Sequence, residues 1–170
     1  FLQATIPTGV HYDYQVDSLQ AAIFGHVDWQ ATDRLRVLAG LRLEHIDYDY
    51  DNLGLDGRTR DDGTECGFGG CRYSRPADRS DSFTHASPKL ELQYQLNEKW
   101  RAHASLADSF RAPQATELYR LQRQQTVADL DEVRATHFET GLSYRSDSTV
   151  LNLSLYQIDQ FVRLSESLTN

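Results

Sequence analysis

The sequence has no methionine and only two lysines, Lys89 and Lys99, beside 15 arginines. Basic residues are in deficit: 17 Lys+Arg against 25 Asp+Glu give a net charge of −8, which argues against a nucleic-acid binder. No apolar run reaches the roughly 18 residues of a membrane helix, and no signal-peptide pattern is found. With 25% charged and 39% apolar residues, disordered, collagenous and low-complexity classes are excluded. A chain of 170 residues that opens on Phe1 without methionine reads as one domain-sized segment or processed product. These absences leave a transmembrane β-barrel open, because its strands are short and only half apolar.

Cysteine is equally scarce. Cys66 and Cys71 flank Gly67-Phe68-Gly69-Gly70, a spacing that three glycines allow to turn back on itself. A zinc half-site would need two further ligands, and His85 is the one candidate close in sequence. A local disulfide in an oxidising compartment is the better reading.

What the chain has in abundance is alternation with period two, in six stretches: 17–30, 35–50, 83–96, 100–109, 136–145 and 150–162. In the second stretch Leu35, Val37, Ala39, Leu41 and Leu43 share one face, and Arg36, Leu38, Gly40, Arg42 and Glu44 the other. The third sets Leu90, Leu92, Tyr94 and Leu96 against Lys89, Glu91, Gln93 and Gln95. Carboxylates and ammonium groups in such succession cannot line a dry core. They face either bulk water or a wet lumen.

The connections alternate in length. Ala31-Thr32-Asp33-Arg34, Asn97-Glu98-Lys99 and Ser146-Asp147-Ser148-Thr149 are tight hairpin turns. Between the hairpins lie long loops, about 51–82 and 110–135. Short turns on one rim and long loops on the other describe an outer-membrane barrel. Trp29, Trp100 and Tyr144 each lie on the apolar face beside a short turn, where a membrane interface selects amphipathic rings. We therefore expect an all-β, antiparallel up-and-down transmembrane β-barrel. Residues 1–170 would form one partial barrel domain, about six consecutive strands of a larger barrel, since the smallest membrane barrels have eight.

Four pieces carry a family resemblance. Asp33-Arg34-Leu35-Arg36-Val37-Leu38-Ala39-Gly40-Leu41-Arg42-Leu43-Glu44 is similar to a turn and strand of TonB-dependent outer-membrane receptors. Ala86-Ser87-Pro88-Lys89-Leu90-Glu91-Leu92-Gln93-Tyr94 resembles a second strand of that family. Ser109-Phe110-Arg111-Ala112-Pro113 with Glu117-Leu118-Tyr119, and His137-Phe138-Glu139-Thr140-Gly141-Leu142, resemble two more. The resemblance spans about residues 16–162. It implies a 22-stranded barrel around a plug domain, in the bacterial outer membrane. It also implies import of a scarce ligand of the ferric siderophore, cobalamin or haem class. The sequence shows no plug, TonB box or aromatic-ended final strand, so coupling to TonB is expected through a plug region outside these residues. The expected partners are outer-membrane lipid, TonB and a small-molecule or metal-chelate ligand.

No catalytic motif is present: G-x-S-x-G, H-E-x-x-H and a phosphate-cradling glycine loop are all missing, so no enzyme or cofactor is expected. His26, His103 and His137 fall singly on polar faces. Asp47, Asp49 and Asp51 share one face of a strand tip, where a calcium site competes with a solvated, mutually repelling tip. Ligand capture on the loop rim calls for aromatics and guanidinium forks, which bind anions and carboxylates well. The candidates are Tyr48, Tyr50, Arg58, Arg60, Arg72, Tyr73, Arg111, Tyr119, Arg120 and Arg123. Residues 115–125 read as a short helix that packs a loop through Leu118 and Leu121. The alternative to a transport barrel is a non-transporting surface barrel or a soluble β-rich binding module. A soluble module would have to cover the Leu35–Leu43 stripe from within the same 170 residues.

Overall fold

A computed structural model describes residues 8–67, 70–122 and 130–164. Six long strands dominate: β1 (Tyr14–Gln30), β2 (Leu35–Asn52), β4 (Arg79–Gln95), β5 (Trp100–Arg111), β7 (Leu130–Arg145) and β8 (Val150–Leu164). They form one antiparallel sheet in the order β1-β2-β4-β5-β7-β8, each strand beside its neighbours in sequence. β3 (Tyr73–Ser74), α1 (Ala115–Tyr119) and β6 (Leu121–Gln122) lie inside the long connections. β3 and β6 pair with each other as a separate two-stranded sheet.

The period-two stretches are therefore strands. The outer ends differ from expectation: β1, β2, β4, β5, β7 and β8 all run two or more residues farther toward the long loops. Those extensions carry Asp, Tyr, Ser and Arg, which hide the apolar alternation although the backbone stays paired, as at Val16↔Tyr50 and Tyr50↔Arg79. The helix is also shorter than 115–125. It ends at Tyr119, and Leu121 packs from β6 instead. Residues 123–125 lie outside the described residues.

Register fixes the two faces. Ile23↔Leu43↔Ala86 and Val37↔Leu92↔Ala104 are cross-strand neighbours, so one side of the sheet is a continuous apolar band. That band stays open: Ile23 is 72% and Leu155 70% exposed, and no second layer covers it among the described residues. A soluble module is inconsistent with this, whereas lipid covers such a face. Trp29 sits two residues before the first short turn. Trp100 pairs with Tyr144 at the same rim, their rings 4.9 Å apart.

The opposite face is polar and neutralises itself. Arg36 pairs with Asp28, Arg42 with Glu44 at 2.7 Å, Lys89 with Glu91 at 3.6 Å, and His103 with Glu139 at 3.6 Å. Gly141 lies under His103, where a Cβ would stand 2.3 Å from the Leu153 carbonyl oxygen, so only glycine fits there.

The two faces should respond differently to charge. In the intact protein, Leu41→Arg near the middle of the apolar band should cost about 2–4 kcal/mol of stability. Gln93→Arg, on the polar face, should cost far less. Unfolding in phospholipid vesicles measures both, and equal costs would reverse the assignment of faces.

Candidate ligand-binding rim

Both long connections fold onto the outer end of the sheet. Tyr48 and Tyr50 share the polar face of β2 with Arg42 and Glu44, so what packs on them packs on the lumen side of the wall. α1 does so. Its first turn is held by Glu117, whose carboxylate accepts from the Gln114 N–H at 2.7 Å and from Arg111 Nη1 at 3.1 Å. The Arg111 bond, aided by the Gln114 N–H, holds the Glu117 carboxyl below the usual range. Leu118 and Tyr119 are thereby turned inward and fully buried.

Tyr119 stacks on Tyr50 with ring centroids 4.3 Å apart, and Tyr14 lies 5.4 Å from Tyr50. The Tyr119 hydroxyl donates to Asp81 at 2.8 Å, and Asp81 is also paired with Arg79. Burial, reinforced by the Asp81 carboxylate, pushes the Tyr119 phenol well above its ordinary range. Tyr48 meets Phe83 edge-on at 6.2 Å.

A second cluster surrounds the disulfide, which joins Cys66 to Cys71 with Cα atoms 4.8 Å apart. Tyr73 packs against it, with His11 stacked on Tyr73 at 4.6 Å and Tyr12 tilted at 5.8 Å. Tyr12 donates to the Leu121 carbonyl at 2.8 Å, and Arg120 lies 5.1 Å over the Tyr12 ring. With the Tyr73↔Gln122 and Ser74↔Leu121 pairing, these contacts tie the two long connections into one body. The Arg58 guanidinium rests on Gly70, whose φ of +74° only glycine adopts readily; a Cβ there would meet Arg58 Nη2 at 3.1 Å.

Arg75 is the residue that sequence reasoning missed. It is 3% exposed, and its guanidinium donates to main-chain oxygens of Leu55, Thr59 and Arg60 and to His11. It also stacks 5.5 Å from Tyr73. One fork thus closes the whole first connection without a carboxylate. The only local signal was an arginine before Pro76, flanked by Tyr73 and Ser74.

The candidate residues therefore divide. Tyr50, Tyr73 and Tyr119 are buried as internal cement, and Tyr48, Arg58 and Arg60 are half-buried. Arg72, Arg111 and Arg120 are exposed, Arg111 being occupied by Glu117. Arg123 lies outside the described residues. Asp47 pairs with His45 at 3.0 Å and Asp49 accepts from Ser80 at 2.9 Å. No group of three His, Cys, Asp or Glu suited to a metal ion is found among the described residues.

The model of the family described as TonB dependent receptor-like, beta-barrel matches residues 3–162. The chain belongs to that family. It accordingly resides in the outer membrane of Gram-negative bacteria. Among solved structures it is similar to the "Copper transporter OprC", with a TM-score of 0.63 and 19% identity over 83% of this chain. The likeness covers 21% of the solved chain, so these residues span about a fifth of its length. No curated protein matches the sequence.

Two outcomes test the TonB-dependent receptor rim. Tyr119 favours its neutral form when docked, so docking is fully stable below the ordinary phenol pKa of about 10 and is lost as pH rises beyond it. Limited proteolysis of the intact receptor should show residues 112–122 protected at pH 9 and cleaved above pH 11. Tyr119→Phe should weaken that pH dependence at a cost of about 1 kcal/mol. Replacing both Cys66 and Cys71 by Ser should lower the opening free energy of the 57–75 segment by about 2 kcal/mol, read by hydrogen exchange.

Proposed function

We propose that this segment forms part of the wall and outer rim of an active-transport receptor. That receptor imports a scarce metal chelate or comparable anionic small molecule with energy from TonB. The observation that carries the reading is the fused pair of outer connections, bent over the lumen face of β1, β2 and β4 in a member of the TonB-dependent family. A rim built this rigidly holds its arginines at fixed positions, which lowers the ordering cost of capture. The whole barrel is taken as about 22 strands around a plug that contacts TonB.

Within the rim, Arg72 and Arg120 are the exposed guanidinium groups on the buried frame, with half-buried Arg58 and Arg60 beside them. Planar forks of this kind suit carboxylate- or catecholate-bearing iron chelates, and equally the carboxylates of haem. Copper, named for the solved neighbour, is the second reading. Copper(I), the soft ion, prefers thiolate and thioether ligands. Both cysteines here are joined to each other and the composition includes no methionine, so this stretch favours the chelate.

The experiment is uptake by cells that carry the whole receptor. Labelled ferric siderophores, cobalamin, haem, copper(I) and copper(II) are offered with and without functional TonB. One metal chelate should accumulate only with TonB, and Arg72→Ala with Arg120→Ala should weaken its binding by about tenfold or more. Accumulation that ignores TonB would overturn transport, and accumulation of copper alone would replace the chelate reading.

A further inference from the structure

β4 and β5 part while each stays paired to its other neighbour. Their ladder runs from Gln95↔Arg101 to Lys89↔Ala107 and stops there. β4 continues along β2 to Arg79, and β5 along β7 to Arg111. The next residue of β4 is Pro88, which has no N–H to extend the rungs. The wall itself is divided at this point, with an intact half on either side.

The resulting cleft of 710 Å³ is lined from both faces of the sheet. Leu41, Pro88 and Phe161 reach it from the outer face, where Leu41 and Pro88 are register partners within the apolar band. His85 and Ser109 reach it from the lumen face. His85 is the register partner of Glu44, and Ser109 Oγ lies 2.9 Å from His137 Nε2. Paired strands keep the side chains of their two faces apart. Here the two sets share one cavity because no rung separates them.

Two rings fill the parting. Phe110 is the register partner of Arg134 on the outer face, yet its ring stacks on that of His85 at 4.5 Å. The rings start from opposite faces and meet in the plane of the wall. No hydrogen bond secures them. His85 Nδ1 stands 3.8 Å from Glu132 Oε1, beyond hydrogen-bond reach, and Nε2 has no partner among the described residues. A closure of two stacked rings without a latch opens by side-chain rotation, with every strand ladder left intact.

We propose that this parting is a gated lateral window, through which small amphipathic cations pass between the outer layer of the membrane and the lumen. Its volume lies within the range of small-molecule sites. The outer face of β5 turns polar at Asp108, so the window straddles the limit between hydrocarbon and water, where amphipathic molecules collect. The apolar body rests on Leu41, Pro88 and Phe161. The cationic group is drawn by the acidic lip: Asp108 and Asp131 are exposed, whereas Glu132 is committed to Arg134 at 2.6 Å. When the His85 and Phe110 rings turn aside, Ser109 and the lumen become accessible. This route goes beyond import from the rim and holds whatever ligand the receptor captures there.

Fluorescence quenching on the whole receptor in phosphatidylcholine vesicles tests this. A bimane label is placed on Ser109→Cys or on Ser105→Cys, both on the lumen face of β5. Ser105 lies lower, where Glu91↔Ser105 closes the wall. The quencher is a membrane-partitioned nitroxide with an alkylammonium group. It should quench the label at 109 severalfold more than the label at 105, and Phe110→Ala should widen that difference. A sulfonate-bearing nitroxide of the same chain should act more weakly at 109, and Asp108→Asn with Asp131→Asn should abolish the contrast between the two. Equal quenching at 105 and 109 would overturn the window. So would equal quenching at 109 by a water-soluble ammonium nitroxide, which marks a route down the lumen. Equal effects of the ammonium and sulfonate forms would overturn the selection of cations. The comparison of 109 with 105 decides the matter even where Phe110→Ala fails to fold, as heat-modifiable migration on gels reports.

Discussion

In a hydrocarbon layer every backbone N–H and C=O has to find its partner inside the protein. That requirement orders the whole structure. Along the apolar band the strands are paired rung by rung, from β1 through to β8. At one rim they are joined by three tight turns, which leave few groups to satisfy. Irregular backbone is confined to the other rim, where water is available. The one early parting of the sheet, at Pro88, coincides with the first polar side chain of β5 on that face, Asp108. The wall opens only where the solvent changes.

The outer connections solve the same problem without a membrane. They have no large apolar core to fold around, so they satisfy main-chain oxygens with Arg75 and pack tyrosines on one another. Tyrosine suits this task, since it buries a large ring and keeps one polar tip to place. The Tyr119 tip finds Asp81, whereas the Tyr50 hydroxyl is buried without a partner among the described residues. A frame assembled from aromatic and guanidinium groups consumes the residue types that ligand capture also uses. This is why few of the rim's many candidates remain exposed.

That overlap explains where sequence reading succeeded and where it stopped. Alternation along Leu35–Leu43 and Leu90–Leu96 is imposed by having lipid on one face and water on the other, so those strands were legible. Trp29, Trp100 and Tyr144 were legible for the same reason. The paired outer ends at Arg79–Ser82 and Leu130–Ala135 were not, because both of their faces are wet and alternation vanishes. The β3–β6 pairing depends on residues nearly fifty positions apart and leaves no local trace. Arg75 looked like any loop arginine, since its partners are carbonyl groups that every residue has. Leu121 kept its burial but changed element, because a five-residue helix ends before reaching it.

The β3–β6 pair also constrains the order in which this part of the barrel assembles. The loop between Cys66 and Cys71 is short enough to close while the chain is still unstructured. Bringing Tyr73 to Gln122 costs less chain entropy once β4 and β5, which lie between them in sequence, are paired with their neighbours. The rim is therefore a late seal, with most of its chain-closure entropy already spent on the hairpin beneath it. A receptor whose wall is mispaired cannot complete this closure. It would expose Tyr50, Leu118 and Tyr119 at the cell surface, an apolar flag for an unfinished barrel.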